Sequence, residues 1–526
     1  MPNDLEEAAE RGVRGGFYLI SGTTLATVIM AIAAILVGRL LGPEMYGDYN
    51  LAILPPQILV LFADLGINTG IIKFASSARY ISEPGKTLRI VRHAMLFRVA
   101  AGLIISIFAL ALPGLLSTGI INRPNLAFYV QIASISILFQ IVYTTSTSTF
   151  VGLDRTELNA FATNVQALAK TTVSVALVLL GFGMAGAVLG YVSGYIVAGA
   201  VGGLIFLILV RSGKNETGST MRHTFKILTS YGLPLYISVV LTGFLPLLQQ
   251  VILAFFTSSS HFGNYRAALN FLQLISVVPV SLTTALLPAF SRLDQSATDK
   301  IRILFRRTNK YTCMLIIPTT VLLLMFSRQI VEIVYGSTFD IAWLYLSLSC
   351  IAYFLVAIGY LGLASLFNGL GETRTTLKMT LLNIIIFVIS APILSAAYDV
   401  PGVIISSLIS ATISTTYGAI VARRKFKVGF DLGAATKTYI VSALSALPPL
   451  GLLVLTRLSA PLMLAGGVLI YFIVYITLVP FARIINHAEL QTIEHLVQRT
   501  RGLSSIVEPL VRYEEKILRI RSNHTS

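Results

Sequence analysis

The chain has 526 residues, of which 55% are hydrophobic and only 12% are charged, and its mean hydropathy is +0.81. A soluble domain carries roughly 25% charged residues, so this composition excludes a soluble globular protein. A net charge of +16 would suggest nucleic acid as a partner of a soluble chain, but these basic residues lie in short loops between apolar runs. That placement indicates membrane orientation, and we expect no nucleic-acid binding. The acidic opening segment, Asp4 to Glu10, does not resemble a cleavable signal peptide.

Fourteen apolar stretches are long enough to cross a hydrocarbon layer of about 30 Å, which takes about 20 residues in a helix. In chain order these predicted spans 1 to 14 run at about 17–38, 46–67, 94–116, 126–148, 158–181, 186–210, 229–254, 264–288, 311–331, 341–366, 377–397, 401–421, 436–456 and 460–482. The sequence therefore predicts an all-α polytopic membrane protein with about fourteen transmembrane helices.

The basic residues between the spans predict the orientation. With the N-terminus inside, 32 of the 39 Lys and Arg residues fall on the inner side, and four (Arg39, Arg123, Arg328 and Arg457) fall on the outer side. An excess of this kind marks the cytoplasmic side of a membrane protein. We expect a multi-pass protein of the cell membrane with both termini in the cytoplasm.

An internal repeat divides the chain. Residues 46–52 resemble 262–268, residues 152–153 resemble 369–370, and residues 186–188 resemble 402–404, at offsets of 216, 217 and 216 residues. Six spans per repeat is an even number, so the two halves share one orientation and a pseudo-two-fold axis along the membrane normal should relate them, with the substrate site between them. The expected division is an N-lobe at 1–210, a C-lobe at 211–421, an extra helix pair at 422–482 and an amphipathic cytoplasmic tail at 483–526.

Three basic residues lie inside spans: Arg98, Lys170 and Arg266. A charge at the bilayer centre costs about 2.5–3.5 kcal/mol on insertion scales, so each of them needs water, a partner or a function. Arg98 lies about one turn inside span 3, and we expect its side chain to reach the inner surface. Asp64 lies near the inner end of span 2, where we expect it to pair with a basic loop residue.

Polar stripes accompany the two deeper cations. Gln166 and Ser174 lie four residues on either side of Lys170, and Asn270 and Gln273 share a helix face with Arg266. Span 2 carries a third stripe of Asn50, Gln57 and Asp64. Such stripes suit the wall of a hydrated cavity, although a hydrogen-bond network between helices is the alternative. The candidate substrate-binding residues are Arg39, Gln57, Gln166, Lys170, Arg266, Asn270 and Gln273.

The sign of these charges favours one class of cargo. Exporters of cationic drugs need buried carboxylates, which are almost absent from the middle of the spans, whereas Arg and Lys are the natural donors to phosphate and acidic sugars. The chain has no G-x-x-x-x-G-K-[ST] motif, and the G-x-G-x-x-G match at 181–186 falls in an outer turn without a preceding strand. Cys313 and Cys350 lie in apolar runs without metal-ligand spacing. We expect no cofactor, no metal site and no catalytic residue.

Four short motifs occur in a family order over residues 15–425. They are RLLGPEMYGDY at 39–49, GLDR at 152–155, EIVYG at 332–336 and NGLGETR at 368–374. They resemble the polysaccharide-exporter (O-antigen, Wzx-like) flippases of the multidrug/oligosaccharidyl-lipid/polysaccharide (MOP) exporter superfamily. The resemblance implies two six-helix lobes that rock between inward-open and outward-open states, and a cargo sugar carried on a polyprenyl phosphate or diphosphate.

The extra helix pair resembles that of the fourteen-helix lipid II flippases, in which the pair helps to form a groove for the lipid tail. Those flippases also carry a cavity arginine in the helix that matches span 8. Arg266 lies about one turn from the matching place, so the resemblance extends to a helix face and not to one position.

These observations predict a secondary-type transporter and not an enzyme. The expected function is a flippase that moves a polyprenyl-linked anionic oligosaccharide from the inner to the outer leaflet by alternating access, for surface polysaccharide or glycoprotein synthesis, and we expect a monomer in the lipid bilayer. The alternative is a multidrug or small-molecule exporter of the same superfamily. A membrane glycosyltransferase or polymerase would need acidic or metal-binding residues at one membrane face, yet His93, His223 and His261 lie on different loops.

Overall fold

A computed structural model describes the chain except for residues 1, 81–83, 212–219, 292, 294–296, 456–458 and 486–526. Most of the predicted tail at 483–526 therefore lies outside the described residues. The described chain is helical and contains no strand. Its α-helices are α1 (Pro2–Ala52), α2 (Leu54–Phe62), α3 (Ile67–Tyr80), α4 (Pro84–Ala111), α5 (Pro113–Gly119), α6 (Ala127–Ser134), α7 (Ser136–Gly152), α8 (Thr156–Leu177), α9 (Gly183–Arg211), α10 (Met221–Phe256), α11 (Ser259–Ser291), α12 (Thr298–Tyr335), α13 (Ala342–Cys350), α14 (Leu363–Gly369), α15 (Thr373–Phe426), α16 (Leu432–Leu455) and α17 (Ala460–Phe481). Short 3₁₀ segments at Pro124–Leu126 and Ile351–Ile358 and a π segment at Val178–Phe182 join some of them.

Long apolar helices confirm the prediction of an all-α polytopic membrane protein. Among the described residues, seven helices are long and apolar enough to cross a membrane, or up to nine if two bent helix pairs each count as one span. A helix satisfies all its backbone hydrogen bonds internally, which is why apolar sequences of this length adopt it in lipid. The number fourteen remains a prediction, because several of these helices contain two predicted spans.

Residues 156–211, which contain predicted spans 5 and 6, fold back on themselves as a hairpin. Gly186 packs against Leu177, and Gly190 packs against Ser174, so α8 and α9 run antiparallel. The chain reverses at Gly181 and Gly183, whose φ angles are 90° and 51°. Glycine alone adopts such angles without strain, and it also allows the two helices to approach closely.

Helix α15 contains predicted spans 11 and 12 and turns back in the same way. Ser414 donates a hydrogen bond of 2.8 Å to the carbonyl of Met379, and the break lies at Asp399, with φ 56° and ψ −137°. The equivalent residue 216 positions earlier is Gly183, with φ 51° and ψ −133°. The repeat found in the sequence therefore extends to the backbone conformation of this one residue of the turn.

The described residues pack as two compact units. The first contains residues 1–274 and 388–403, and the second contains the rest of the chain from residue 275. Helix α10 and the first half of α11 pack in the first unit. The predicted division into lobes at residues 210 and 211 rests on the sequence repeat, and it remains a prediction.

The core of the first unit joins six helices, and α8 contributes Ala162. Ile71 of α3, Val91 of α4, Phe150 of α7, Phe206 of α9 and Leu228 of α10 are all buried in one cluster. The backbones of Gly66 and Gly232 are in close contact, since a methyl group on either would lie within 2.3 Å of the other's atoms. Close approach through small residues is typical of helices packed in lipid.

In the second unit, the predicted extra helix pair is present as α16 and α17. Phe326 of α12 is buried against Tyr471 and Tyr475 of α17 and Val441 of α16. Asp431 begins α16 by accepting hydrogen bonds from the Ala434 amide at 3.1 Å and from Arg306 Nε at 3.1 Å. Burial opposes ionisation of Asp431, but these donors outweigh it and lower the pKa of its carboxyl below the ordinary value. The contact between Asp431 and Arg306 therefore joins the start of α16 to α12.

Candidate functional site

The two deep cations predicted from the sequence, Lys170 of α8 and Arg266 of α11, lie close enough for their positive charges to repel each other. Both side chains are half-buried. Among the described residues, neither cation forms an ion pair with a carboxylate. We call Lys170, Arg266, Asn50 and Asn270 the cation cluster. Two like charges held together at this depth are unfavourable unless water or an anion compensates them.

Arg266 is held in place by Asn50 of helix α1. Its Nε donates a hydrogen bond of 3.2 Å to Asn50 Oδ1, and Asn50 Nδ2 in turn donates to the Tyr46 carbonyl at 2.8 Å. Asn270 Nδ2 donates to the Tyr46 hydroxyl at 3.0 Å. The bond to Asn50 uses one of the five N–H donors of the Arg266 guanidinium, the one on Nε.

Asn50 and Arg266 are themselves 216 residues apart, as are the repeated segments. One helical turn earlier, Gly47 and Gly263 make a reciprocal contact: a methyl on Gly47 would lie 1.9 Å from the Ser259 carbonyl, and one on Gly263 would lie 1.9 Å from the Pro43 carbonyl. Pro43 and Ser259 are again 216 residues apart. Reciprocal contacts of this kind are the mark of a two-fold axis. A local two-fold axis therefore passes between these two segments, next to Arg266.

Lys170 lies over an aromatic ring. Its Nζ is 5.5 Å from the centroid of the Tyr191 ring on α9, a cation–π distance. Tyr191 stacks edge-on with Tyr195, whose centroid is 5.1 Å away, and Tyr195 lies 6.2 Å from Tyr143. These tyrosines form an aromatic wall beside the cation, which sequence inspection did not identify. Tyrosine at i and i+4 of a glycine-rich span would have been the available signal.

The polar stripe of Gln166, Lys170 and Ser174 is partly buried and partly accessible. Gln166 and Ser174 are buried, at 5% and 1% exposure, and Ser174 packs against Gly190 of α9. Ser174 Oγ also donates a hydrogen bond of 3.4 Å to the Ala187 carbonyl of α9, so for Ser174 the contacts favour the alternative of a hydrogen-bond network between helices. Lys170, which lies between them, is half-buried, and its Cα and Cβ pack at Gly194 of α9.

Three of the predicted candidates, Arg39, Gln57 and Gln273, are not members of the cation cluster as defined here. Arg39 and Gln273 are exposed on α1 and α11. Gln57 is half-buried on α2 and lines a cavity of about 290 Å³ together with Asp64, Asn68, Arg98 and Tyr236, which we call the Asp64 cavity.

The expectation that Arg98 reaches the inner surface is wrong. Its side chain is 1% exposed, and it lies 3.5 Å from Asp64 Oδ1, so Asp64 pairs with a residue inside a span and not with a loop residue. Arg98 also donates to the Ala63 carbonyl and, at 3.3 Å, to Thr145 Oγ1. A buried arginine with this many acceptors is stabilised in place and has no need to extend to the surface. The run of Ser and Thr at 144–149 in span 4 was the sequence signal for these acceptors.

Comparison with known families agrees with this fold. Residues 13–294 match the family described as "Polysaccharide biosynthesis protein", which is more than half of the chain. The chain belongs to this family. No curated protein matches it significantly.

Solved structures of the MOP superfamily share the fold. A structure described as the lipid II flippase MurJ in an inward closed conformation is 16% identical, covers 87% of this chain and 97% of its own, and has a TM-score of 0.69. An inward-facing multidrug resistance MATE transporter is also 16% identical, with a TM-score of 0.59 over 76% of this chain and 94% of its own. A MOP superfamily transporter from Pyrococcus furiosus, described as having a binding pocket of reverse polarity, reaches 0.52 at 16% identity over 79% of this chain and 95% of its own. At these identities the likeness shows the fold: the chain has the polytopic helical architecture of these structures.

Proposed function

We propose that this protein is a flippase that moves a polyprenyl phosphate- or diphosphate-linked oligosaccharide from the inner to the outer leaflet by alternating access. The observation that carries the proposal is the cation cluster, in which the positive charges of Lys170 and Arg266 repel each other and neither has a carboxylate partner among the described residues. An anionic headgroup supplies the missing compensation. Phosphate oxygens accept hydrogen bonds from the guanidinium fork and from the lysine ammonium.

The surroundings of the cluster suit a sugar as well as a phosphate. Tyr195, which is half-buried and packs edge-on against Tyr191, offers an aromatic ring near Lys170. The membership of the chain in a polysaccharide biosynthesis family supports the same cargo. An anion that leaves a cell with a negative interior gains about 2.3 kcal/mol per charge per 100 mV, so the membrane potential favours outward movement of the headgroup.

The alternative function is export of drugs or other small molecules, because a multidrug resistance MATE transporter shares the fold. An exporter of cations needs an available carboxylate. The carboxylate that lines the Asp64 cavity, Asp64 itself, is paired with Arg98 at 3.5 Å. The charge of the cation cluster therefore favours an anionic cargo over a cationic drug.

The test is transport of a polyprenyl diphosphate-linked sugar by the full-length protein in proteoliposomes. Lys170→Met and Arg266→Gln remove charge at nearly constant size, and each should slow flipping by about tenfold to a hundredfold, since a hydrogen bond to a charged group contributes roughly 1.5–3 kcal/mol. Arg266→Lys should retain part of the activity, because the charge survives and the planar fork is lost.

Leu168→Ala is the matched control, since Leu168 lies two residues from Lys170 on the same helix and is 53% exposed. Protein amount per vesicle is held equal for all variants. Full activity of the Lys170→Met/Arg266→Gln double variant would refute the assignment of the headgroup to this cluster. Efflux of a cationic dye without flipping would favour the exporter alternative.

A further inference from the structure

A second basic site lies on the surface of the first unit, between α4 and α9. The two helices enclose a groove with a volume of about 460 Å³. Its walls include Arg92, Met95 and Leu96 from α4, and Phe206, Leu207 and Arg211 from α9. None of these residues belongs to the cation cluster or to the Asp64 cavity.

The charged and the apolar residues of the groove lie at different predicted depths in the bilayer. Arg92 and Leu96 are four residues apart on α4, and Leu207 and Arg211 are four residues apart on α9, so each arginine lies one turn from its leucine on the same helix face. The predicted orientation places both arginines at the inner ends of their helices. Each leucine then lies about 6 Å deeper in the bilayer, at 1.5 Å per residue.

The two arginines are available to bind a ligand. Both are exposed, and neither forms a hydrogen bond or an ion pair with another described residue. No acidic side chain is among the residues that line the groove. The groove therefore presents two positive charges at the level where lipid headgroups lie.

The deeper part of the groove presents apolar surface to the bilayer. Leu96 and Leu207 are 51% and 50% exposed, whereas Met95 and Phe206 form a buried floor behind them. A soluble anion would contact only the arginines. A lipid with a charged phosphate and an apolar chain would contact both levels at once.

We propose that this groove binds an anionic glycerophospholipid of the inner leaflet, with its phosphate between Arg92 and Arg211 and one acyl chain along Leu96 and Leu207. A site so open to solvent and lipid binds weakly, and by mass action a weak site is filled by the abundant lipid of its leaflet. That argument favours a bulk phospholipid over a scarce polyprenyl phosphate, which carries the same phosphate chemistry. The bound lipid would also bridge the inner ends of α4 and α9.

Native mass spectrometry of the purified full-length protein tests the proposal with palmitoyl-oleoyl phosphatidylglycerol and palmitoyl-oleoyl phosphatidylcholine. The wild type should bind the anionic lipid preferentially. One basic group near the membrane surface contributes a factor of about five in binding, so Arg92→Gln or Arg211→Gln should weaken that binding about fivefold and the double variant about thirtyfold. Arg92→Lys/Arg211→Lys should stay close to the wild type, and thermal unfolding shows that each variant is folded.

Arg307→Gln is the matched control, because Arg307 is an exposed arginine on α12 in the second unit and lies on the same predicted side of the membrane. Dihexanoyl phosphatidylglycerol should bind more weakly than the long-chain lipid if the apolar wall holds a chain. An unchanged lipid preference in the double glutamine variant would overturn the proposal. So would displacement of the lipid by millimolar inorganic phosphate, or tighter binding of a polyprenyl phosphate through the same two arginines.

Discussion

Asp399 occupies a backbone conformation that favours glycine, with φ 56° and ψ −137°. The equivalent residue of the first repeat is Gly183, so the second repeat replaces a glycine with a side chain that strains the turn. The carboxylate of Asp399 contacts the Nδ1 atom of His261 at the start of α11, and both side chains are about one-third exposed. Even a full ion pair this exposed contributes only about 0–1 kcal/mol, less than the roughly 1–3 kcal/mol that a strained residue costs. Stability alone therefore does not explain the aspartate.

Substitutions at position 399 distinguish the backbone strain from the contact with His261. Asp399→Gly should raise the midpoint of thermal unfolding in detergent, because relief of the backbone strain outweighs the lost pair with His261. Asp399→Ala should lower the midpoint, since it loses the same pair and keeps the strain. His261→Gln is the control, because it removes the pair without touching the turn. Equal destabilisation by the glycine and alanine variants would show that the turn stores no strain.

Arg98 illustrates, at the level of one residue, what a sequence predicts poorly. Its position about one turn inside span 3 is compatible with a side chain that extends to the surface. Its burial depends on Asp64 of the segment between α2 and α3 and on Thr145 of α7, which come together only when these elements pack. A linear sequence contains the residue types and lacks the distances between them.

At the scale of elements, α1 and α11 cross at two glycines that leave no room for a side chain. The Gly47 and Gly263 contacts are reciprocal, and the hydrogen bond between Asn50 and Arg266 lies one turn away. Asp48 Oδ1 also accepts a hydrogen bond of 2.5 Å from Ser259. The predicted topology places this crossing on the outer side of the cation cluster, so we expect it to close the cluster from that side.

Gly47→Ala or Gly263→Ala should therefore favour a state in which the crossing is separated. The measurement is the rate at which a membrane-impermeant thiol reagent, added outside, modifies Asn50→Cys in a background without other cysteines. Either alanine should raise that rate several-fold, because a methyl at 1.9 Å from a carbonyl oxygen forces the helices apart. Gly114→Ala is the control, since a methyl there meets no atom within 4 Å. An unchanged rate would show that the crossing does not control access.

The elements themselves were more predictable than their contacts. The gaps between predicted spans at 181–186 and 397–401 contain the breaks at Gly181, Gly183 and Asp399. The ends of each span depend on the hydrophobic pattern of the local sequence, which is why the sequence alone predicts where the helices break. The Asn50–Arg266 contact is different: each residue lies on its own polar stripe, and only the offset of 216 hints that a two-fold axis joins them.

At the scale of the whole molecule, helix length decides how the chain crosses the bilayer. Residues 156–211 would extend about 84 Å as one straight helix, nearly three times the thickness of a hydrocarbon layer of about 30 Å. The antiparallel contacts of α8 with α9, and the contact of Ser414 with Met379 within α15, show that these segments return instead. Seven or nine single crossings would place the two ends of the chain on opposite sides. Fourteen crossings place them on the same side.

Single cysteines distinguish these topologies. Cys313 and Cys350 are buried and free, so both are replaced by alanine to give the background. The exposed positions Arg155→Cys and Arg424→Cys should react with an impermeant thiol reagent only after the cells are opened, because the fourteen-span topology places both inside. Tyr398→Cys, at a position 61% exposed beside the α15 turn, should react in intact cells. Positions 398 and 424 lie on one hairpin, so reaction of both from the same side would contradict the two crossings of α15 and with them the count of fourteen.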